Sequence, residues 1–174
     1  MSVLLCEPTL ADKPFITDLL PYYRRDLAPF LPHPPVASAS DDAMWWEHPG
    51  VLSAWLICAD DAPAGFALVA SPPFASPNAD YRLNEFYVRA DCRRHGVGRR
   101  AAALLFARLP GRWELAHLPR NASAQAFWEA TLTLLAAPSN EGACISDLRV
   151  VSVLIGDSET APGFAFTSKG VKDV

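Results

Sequence analysis

Apolar positions along the chain form two patterns, short unbroken runs and positions spaced three or four apart. The runs read as strands and the spaced positions as amphipathic helices. Val3-Leu4-Leu5-Cys6 is a first strand. Thr9 followed by Asp12 resembles a capping box, and Phe15, Leu19, Tyr22 and Tyr23 then fall at helical spacing. Pro21 interrupts that pattern, so one helix or two short ones are expected through Asp26. Residues 29–40 read as a long loop, and residues 43–47 as a helical turn. Runs at 53–58 and 65–69 flank the turn Asp60-Asp61-Ala62-Pro63 and predict a hairpin. A further strand is expected over 82–88, then a loop over 91–98.

The next helix is expected from about Val97 to Leu109, with Val97, Ala101, Leu104 and Leu105 on one face. Pro110-Gly111 ends it. A strand over 113–118 follows, then a helix capped by Asn121 and running to about Leu134. Two more strands are predicted within 147–155 and 163–167. This order implies a central sheet with helices on its faces, an α/β (α+β) arrangement. No internal repeat is visible.

The 174 residues suit a single domain over 1–174, and half of them are apolar. The net charge of −4 argues against a general nucleic-acid or membrane binder. Many of the 16 prolines fall at 29–35 and 72–77 and mark loops or extended connections. Cys6, Cys58, Cys92 and Cys144 lack metal-ligand spacing and are read as reduced thiols. No basic segment leads a long apolar run, and no stretch reaches the roughly 18 apolar residues of a membrane span. A cytoplasmic location is expected.

The most informative stretch runs from Val88 to Ala101. A strand ends, a loop with Gly96 and Gly98 follows, and a helix starts at once. Glycines let backbone approach a ligand. The unpaired N–H groups at a helix start form an anion site with the positive end of the dipole. Arg89, Arg93, Arg94, Arg99 and Arg100 cluster here although the chain is acidic. Basic residues oppose the dipole at a helix start, and a bound polyanion would relieve that conflict. A Rossmann fingerprint would need a third glycine, and a P-loop its lysine. A solvated basic turn and an RNA-binding patch are the competing readings.

Arg93-Arg94-His95-Gly96-Val97-Gly98 resembles the acetyl-CoA loop of the GNAT superfamily of N-acetyltransferases, whose pattern is Arg or Gln, two residues, Gly, one residue, then Gly or Ala. Downstream, Asn121-Ala122-Ser123-Ala124-Gln125-Ala126-Phe127-Trp128 resembles the family's Asn-x-x-Ala-x-x-aromatic helix. The likeness extends to a bacterial subgroup of predicted acetyltransferases through Pro110-Gly111-Arg112-Trp113-Glu114 and Tyr22-Tyr23-Arg24-Arg25-Asp26-Leu27. The resemblance implies a GNAT-like mixed sheet of about six or seven strands that splays open at its middle, flanked by helices. It implies acetyl-CoA as cofactor, with its pantetheine arm along Phe86, Tyr87 and Val88. Its pyrophosphate would lie on the loop of Arg93, Arg94, His95, Gly96, Val97, Gly98 and Arg99. Asn121, Phe127 and Trp128 would line the thiol side.

The expected activity is therefore transfer of an acetyl group to an amine by direct attack in a ternary complex. The alternative is a non-catalytic acyl-CoA-binding or sensor module. Glu85 is the candidate general base; a structural alternative pairs it with Arg82. Asn84 and Glu85 alternate in direction, so only one faces the cleft unless a bulge intervenes. Trp128 stands where many relatives carry a tyrosine that protonates the leaving thiolate, which leaves water or another group, Tyr87 among them, for that step. His117 is a lesser base candidate, and His95 reads as a solvent-facing loop residue. Tyr22, Tyr23, Arg25, Asp26, Trp45 and Trp46 are the expected acceptor lining. The expected partners are a small-molecule or protein amine and, as a homodimer, a second copy of the chain. Metal, nucleic acid and membrane are not expected.

Overall fold

The structure is a computed structural model that describes residues 2–6, 9–32, 39–137, 145–155 and 159–170, with side chains for 39–41 left aside. Cys144 and the prolines at 34 and 35 lie outside the described residues. Seven strands, β1 (Val3–Cys6), β2 (Leu52–Ala59), β3 (Ala62–Ala70), β4 (Tyr81–Val88), β5 (Gly111–Ala116), β6 (Ile145–Ile155) and β7 (Glu159–Ser168), form one sheet in the order β1-β2-β3-β4-β5-β7-β6. The helices are α1 (Lys13–Leu27), α2 (Ala39–Glu47), α3 (Val97–Arg108) and α4 (Ala122–Ala136). All neighbours in the sheet run antiparallel except β4 and β5. This is the mixed, helix-flanked sheet that the sequence predicts.

The Asp12 carboxylate accepts the Thr9 N–H at 3.0 Å and its hydroxyl at 2.7 Å, and the chain passes through one 3₁₀ turn into α1. α1 is one helix with Pro21 inside it. Buried Ile16, Leu19 and Leu20 before the proline, and Tyr23 after it, hold the helix against one sheet face, where they meet Ala54, Leu56, Phe66, Leu68 and Tyr87. The opposite face carries Trp55, Val69, Leu83, Trp113, Leu115, Phe164 and Phe166, covered by Phe106 and Leu105 of α3 and by Trp128, Leu132 and Leu135 of α4. The sheet is thus buried on both sides at β2, β3 and β4.

Two strand features position the site. First, β4 and β5 pair only through Tyr81 with Trp113, Arg82 with Glu114, and Leu83 with Leu115. Beyond Leu83 they part, while β5 stays paired with β7 through Ala116 and Gly163. The closed end is clamped by two arginine–carboxylate pairs. Arg82 Nε donates to Glu114 Oε1 at 2.7 Å, and Arg112 donates to Asp80 from its backbone N–H at 2.8 Å and from its guanidinium at 2.8 and 3.1 Å. Second, Leu68 pairs with Glu85 but Val69 pairs with Leu83, so Asn84 is an extra residue. This β-bulge reverses the alternation. Leu83 and Phe86, three apart, both pack toward α3 and α4, whereas Tyr87 packs toward α1.

Candidate active site

The gap between β4 and β5 opens into a cleft of about 500 Å³. Its floor carries Leu83, Asn84, Glu85 and Phe86 from β4, Leu115 to Leu118 from β5 and the turn after it, and Asn121 and Trp128 from α4. Its other wall is built by Leu20, Tyr23, Arg24 and Leu27 of α1, Leu31, and Asp42 and Trp45 of α2. Because of the bulge, Asn84 and Glu85 both reach the cleft.

Glu85 has no hydrogen bond or ion pair among the described residues. Surrounding protein strips water from its carboxyl and pushes the pKa up to about 8. The alternative pairing fails, since Arg82 is held by Glu114 and by Ser76 Oγ at 3.0 Å. His117, nearly buried, has Nδ1 3.2 Å from the Leu118 carbonyl. That carbonyl only accepts, so Nδ1 is the donor. Asn121 caps α4, its Oδ1 accepting from Ala124 N at 3.0 Å and from Ser123 Oγ at 2.8 Å. Trp128 lines the cleft at 6 % exposure and meets Phe86 edge-on at 5.2 Å between ring centres. Phe127 is stacked on Phe86 at 6.0 Å.

At the edge of the cleft the loop turns outward. Arg94 (φ 64°) and Gly96 (φ 80°) are both left-handed, and Gly96 caps α3. Such turns point successive N–H groups into a shared concavity. The first amide of α3 with a backbone acceptor is Arg100, bonded to the Gly96 carbonyl at 3.1 Å. The amides of residues 94–99 have no backbone acceptor among the described residues. His95 is exposed, its Nδ1 2.7 Å from the Arg93 carbonyl. A Cβ on Gly98 would lie 3.2 Å from the Phe127 ring and 3.6 Å from Phe86, filling the cradle beside the gap.

Several predicted residues take other roles. Arg93 does not present its side chain to the loop's concavity. Its Nε donates to the Val88 carbonyl at 2.7 Å and its terminal nitrogen to Asp26 at 2.6 Å, and the guanidinium lies over the Tyr87 ring. Arg89 is likewise taken up by Asp91 and the Pro63 carbonyl. Arg94 and Arg99 are exposed and make no ion pair among the described residues. Val97 is buried with Ile57 and Ala101, so only its amide faces the loop. Tyr87 does not line the cleft. Its ring packs against Tyr23 and Phe66, and burial raises its pKa. Of the expected acceptor lining, Tyr23 and Trp45 are present. Tyr22 is solvent-exposed beneath Arg25, and Asp26 is bound by Arg93 and by Arg25 at 3.5 Å. Arg24 and Asp42, an ion pair across α1 and α2, went unrecognised in the sequence because 18 positions and a proline-rich loop separate them.

A parted parallel pair beside a cradle of open amides is joined by a sequence match. The profile of the Acetyltransferase (GNAT) family matches residues 17–132, two thirds of the chain. The chain belongs to this family. GNAT enzymes transfer acetyl groups from acetyl-CoA to amine acceptors, and the match makes this chain an acyltransferase of that family. Solved GNAT structures share the fold. An acetyltransferase from Thermus thermophilus superposes with TM-score 0.65 at 17 % identity, covering 95 % of this chain and 96 % of that one. A GNAT-family acetyltransferase from Bacillus cereus ATCC 10987 gives 0.59 at 13 %, covering 99 % and 100 %. The diaminobutyrate acetyltransferase EctA from Paenibacillus lautus, solved with L-2,4-diaminobutyric acid and coenzyme A, gives 0.58 at 12 %, covering 99 % and 98 %. No curated protein matches in sequence. Among the described residues no helix is long and apolar enough to cross a membrane, and no cluster of potential metal ligands occurs.

Proposed function

We propose that this single domain is an acetyl-CoA-dependent N-acetyltransferase in which the amine attacks directly, with both substrates held in the β4–β5 cleft. The observation that carries this is the parting of β4 from β5 at Leu83 and Leu115, with partnerless Glu85 on one lip and open amides at the edge. The residues present fit the cofactor. The amides of residues 94–99 can take a diphosphate, with Arg94 and Arg99 beside it, and Gly98 leaves room that a side chain would close. The β4 edge at Phe86, Tyr87 and Val88, free of β5, offers backbone groups to the pantetheine arm. Asn121, Phe127 and Trp128 close the thiol side.

Bound acetyl-CoA supplies the acetyl thioester: its C–S bond breaks, an amide C–N bond forms, the amine nitrogen loses a proton and the departing sulfur gains one. Glu85 takes the amine's proton, directly or through water, and its raised pKa sets it near the pH at which a base is most effective. A backbone N–H of the unpaired β4 edge near Phe86 stabilises the developing oxyanion. The described lining holds no serine, threonine, cysteine or lysine, which supports direct attack over a covalent acetyl-enzyme. The indole of Trp128 is no practical acid, so the sulfur's proton comes from water or from another lining group.

Trp128 also favours one alternative, a non-catalytic acyl-CoA sensor. Thiol release from acetyl-CoA with a panel of amines separates the two. Turnover that falls in Glu85→Gln supports the enzyme; coenzyme A binding with no turnover on any amine supports the sensor.

A further inference from the structure

The acceptor half of the cleft shows which amine fits, if the site acts as proposed above. Its apolar surface comes from Leu20 and Leu27 of α1, Leu31, Trp45 of α2 and Leu68 of β3, beside Tyr23 and the paired Arg24 and Asp42. Two described acidic groups near it are already matched. Asp42 is paired with Arg24, and both are only about a quarter exposed. Asp26, one helical position beyond Arg25, is held by Arg93 at 2.6 Å and does not line the cleft. Glu85 is the one carboxyl of the described lining without a cationic partner, and its surroundings keep it mostly protonated near neutral pH. A polycation entering here would bring two or more charges to described walls whose one unpaired carboxyl is Glu85, and would lose hydration with little return. An apolar body gains by leaving water. The volume of about 500 Å³ must hold the acetyl-bearing arm as well as the acceptor, which favours a small molecule over a protein segment.

We infer that the acceptor is a small primary amine with a single cationic centre on an apolar alkyl or aryl-alkyl body, its carbon skeleton lying against Leu20, Leu27, Leu31, Trp45 and Leu68. Polyamines, aminoglycosides and lysine-rich peptides are poor acceptors.

The test is thiol release by the full chain at saturating acetyl-CoA with n-propylamine through n-hexylamine, phenethylamine, spermidine, an aminoglycoside and a lysine-rich peptide. The straight-chain amines have nearly equal basicity, so the series isolates apolar contact. kcat/KM should rise about fourfold for each methylene that becomes buried, and hexylamine should exceed spermidine by about tenfold or more. Leu27→Glu, which adds a carboxylate to the partly exposed wall, should lower hexylamine turnover and raise that of spermidine. A flat or falling series, or faster turnover of spermidine, the aminoglycoside or the peptide by the wild-type chain, overturns the inference and leaves N-acetyl transfer standing. Absence of turnover on every amine overturns N-acetyl transfer and the inference with it. The wild-type series decides the matter even if Leu27→Glu does not fold.

Discussion

Replacing Glu85 by Gln removes the carboxyl and keeps its shape, so it isolates the proton-accepting role. With a midpoint near 8, the ionised fraction is about one hundredth at pH 6, about one tenth at pH 7 and about nine tenths at pH 9. Only the ionised form accepts a proton, and a positioned base contributes about 10²–10⁴-fold. The acceptor amine also titrates, but it does so identically in both proteins. The ratio of wild-type to Glu85→Gln kcat therefore reports Glu85 alone. It should climb about tenfold per pH unit up to pH 7 and level off above pH 9, reaching about 10²-fold or more. The assay is thiol release at saturating substrates from pH 6 to pH 9.5. His117→Gln should keep the midpoint near 8. A ratio that stays flat with pH, or a midpoint lost in His117→Gln instead, refutes Glu85 as the base. The same shift has a stability consequence. The unfolded chain gives up this proton near 4.5 and the folded chain holds it to about 8, so stability falls as pH rises between those values and is level above. Glu85→Gln should remove about 1–2 kcal/mol of that fall, allowing for water in the cleft.

Gly98→Leu places a side chain against Phe127 and Phe86. Coenzyme A at 100 times its Kd should stabilise the wild-type chain by about 2.7 kcal/mol in thermal unfolding, and most of that gain should vanish in the variant. Arg82→Leu leaves Glu114 nearly buried with Ser76 N–H as its remaining partner, and should cost about 3 kcal/mol in urea unfolding. Asp80, held by Arg112 with its pKa lowered to about 2, contributes stability that is complete above pH 4 and lost as pH falls through 2. Asp80→Asn should flatten that acid limb by about 1 kcal/mol, since both side chains are half exposed.

Sequence patterning located the seven strands and α1, α3 and α4, because each apolar run or helical stripe is decided by neighbours a few positions away, but it foresaw only a turn at 43–47 where α2 spans Ala39–Glu47. The phosphate loop was legible for the same reason: strand end, glycines and helix start are contiguous. What remained hidden depends on distant partners. Arg93 is chemically suited to a phosphate, but Asp26, 67 positions earlier, and the Val88 carbonyl claim it. Five arginines near the loop read alike in sequence, yet only their fold partners distinguish exposed Arg94 and Arg99 from Arg89 and Arg93. The bulge at Asn84 is one residue in an otherwise regular strand, and it reverses the facing of everything after it, placing Phe86 on the α3 and α4 side and Glu85 with Tyr87 on the α1 side. Strand ends shifted by a few residues, as at β5, which spans Gly111–Ala116 against the predicted 113–118, because pairing with β7 sets them.

Amide hydrogen exchange with and without coenzyme A tests most directly whether the diphosphate is held by main-chain N–H groups beside the parted strands. Slowed exchange of the amides of residues 94–99 and of the β4 edge beyond Leu83, with little change in β1 and β2, is the predicted result. Unaltered exchange at residues 94–99 under saturating coenzyme A, or protection confined to another surface, would contradict it.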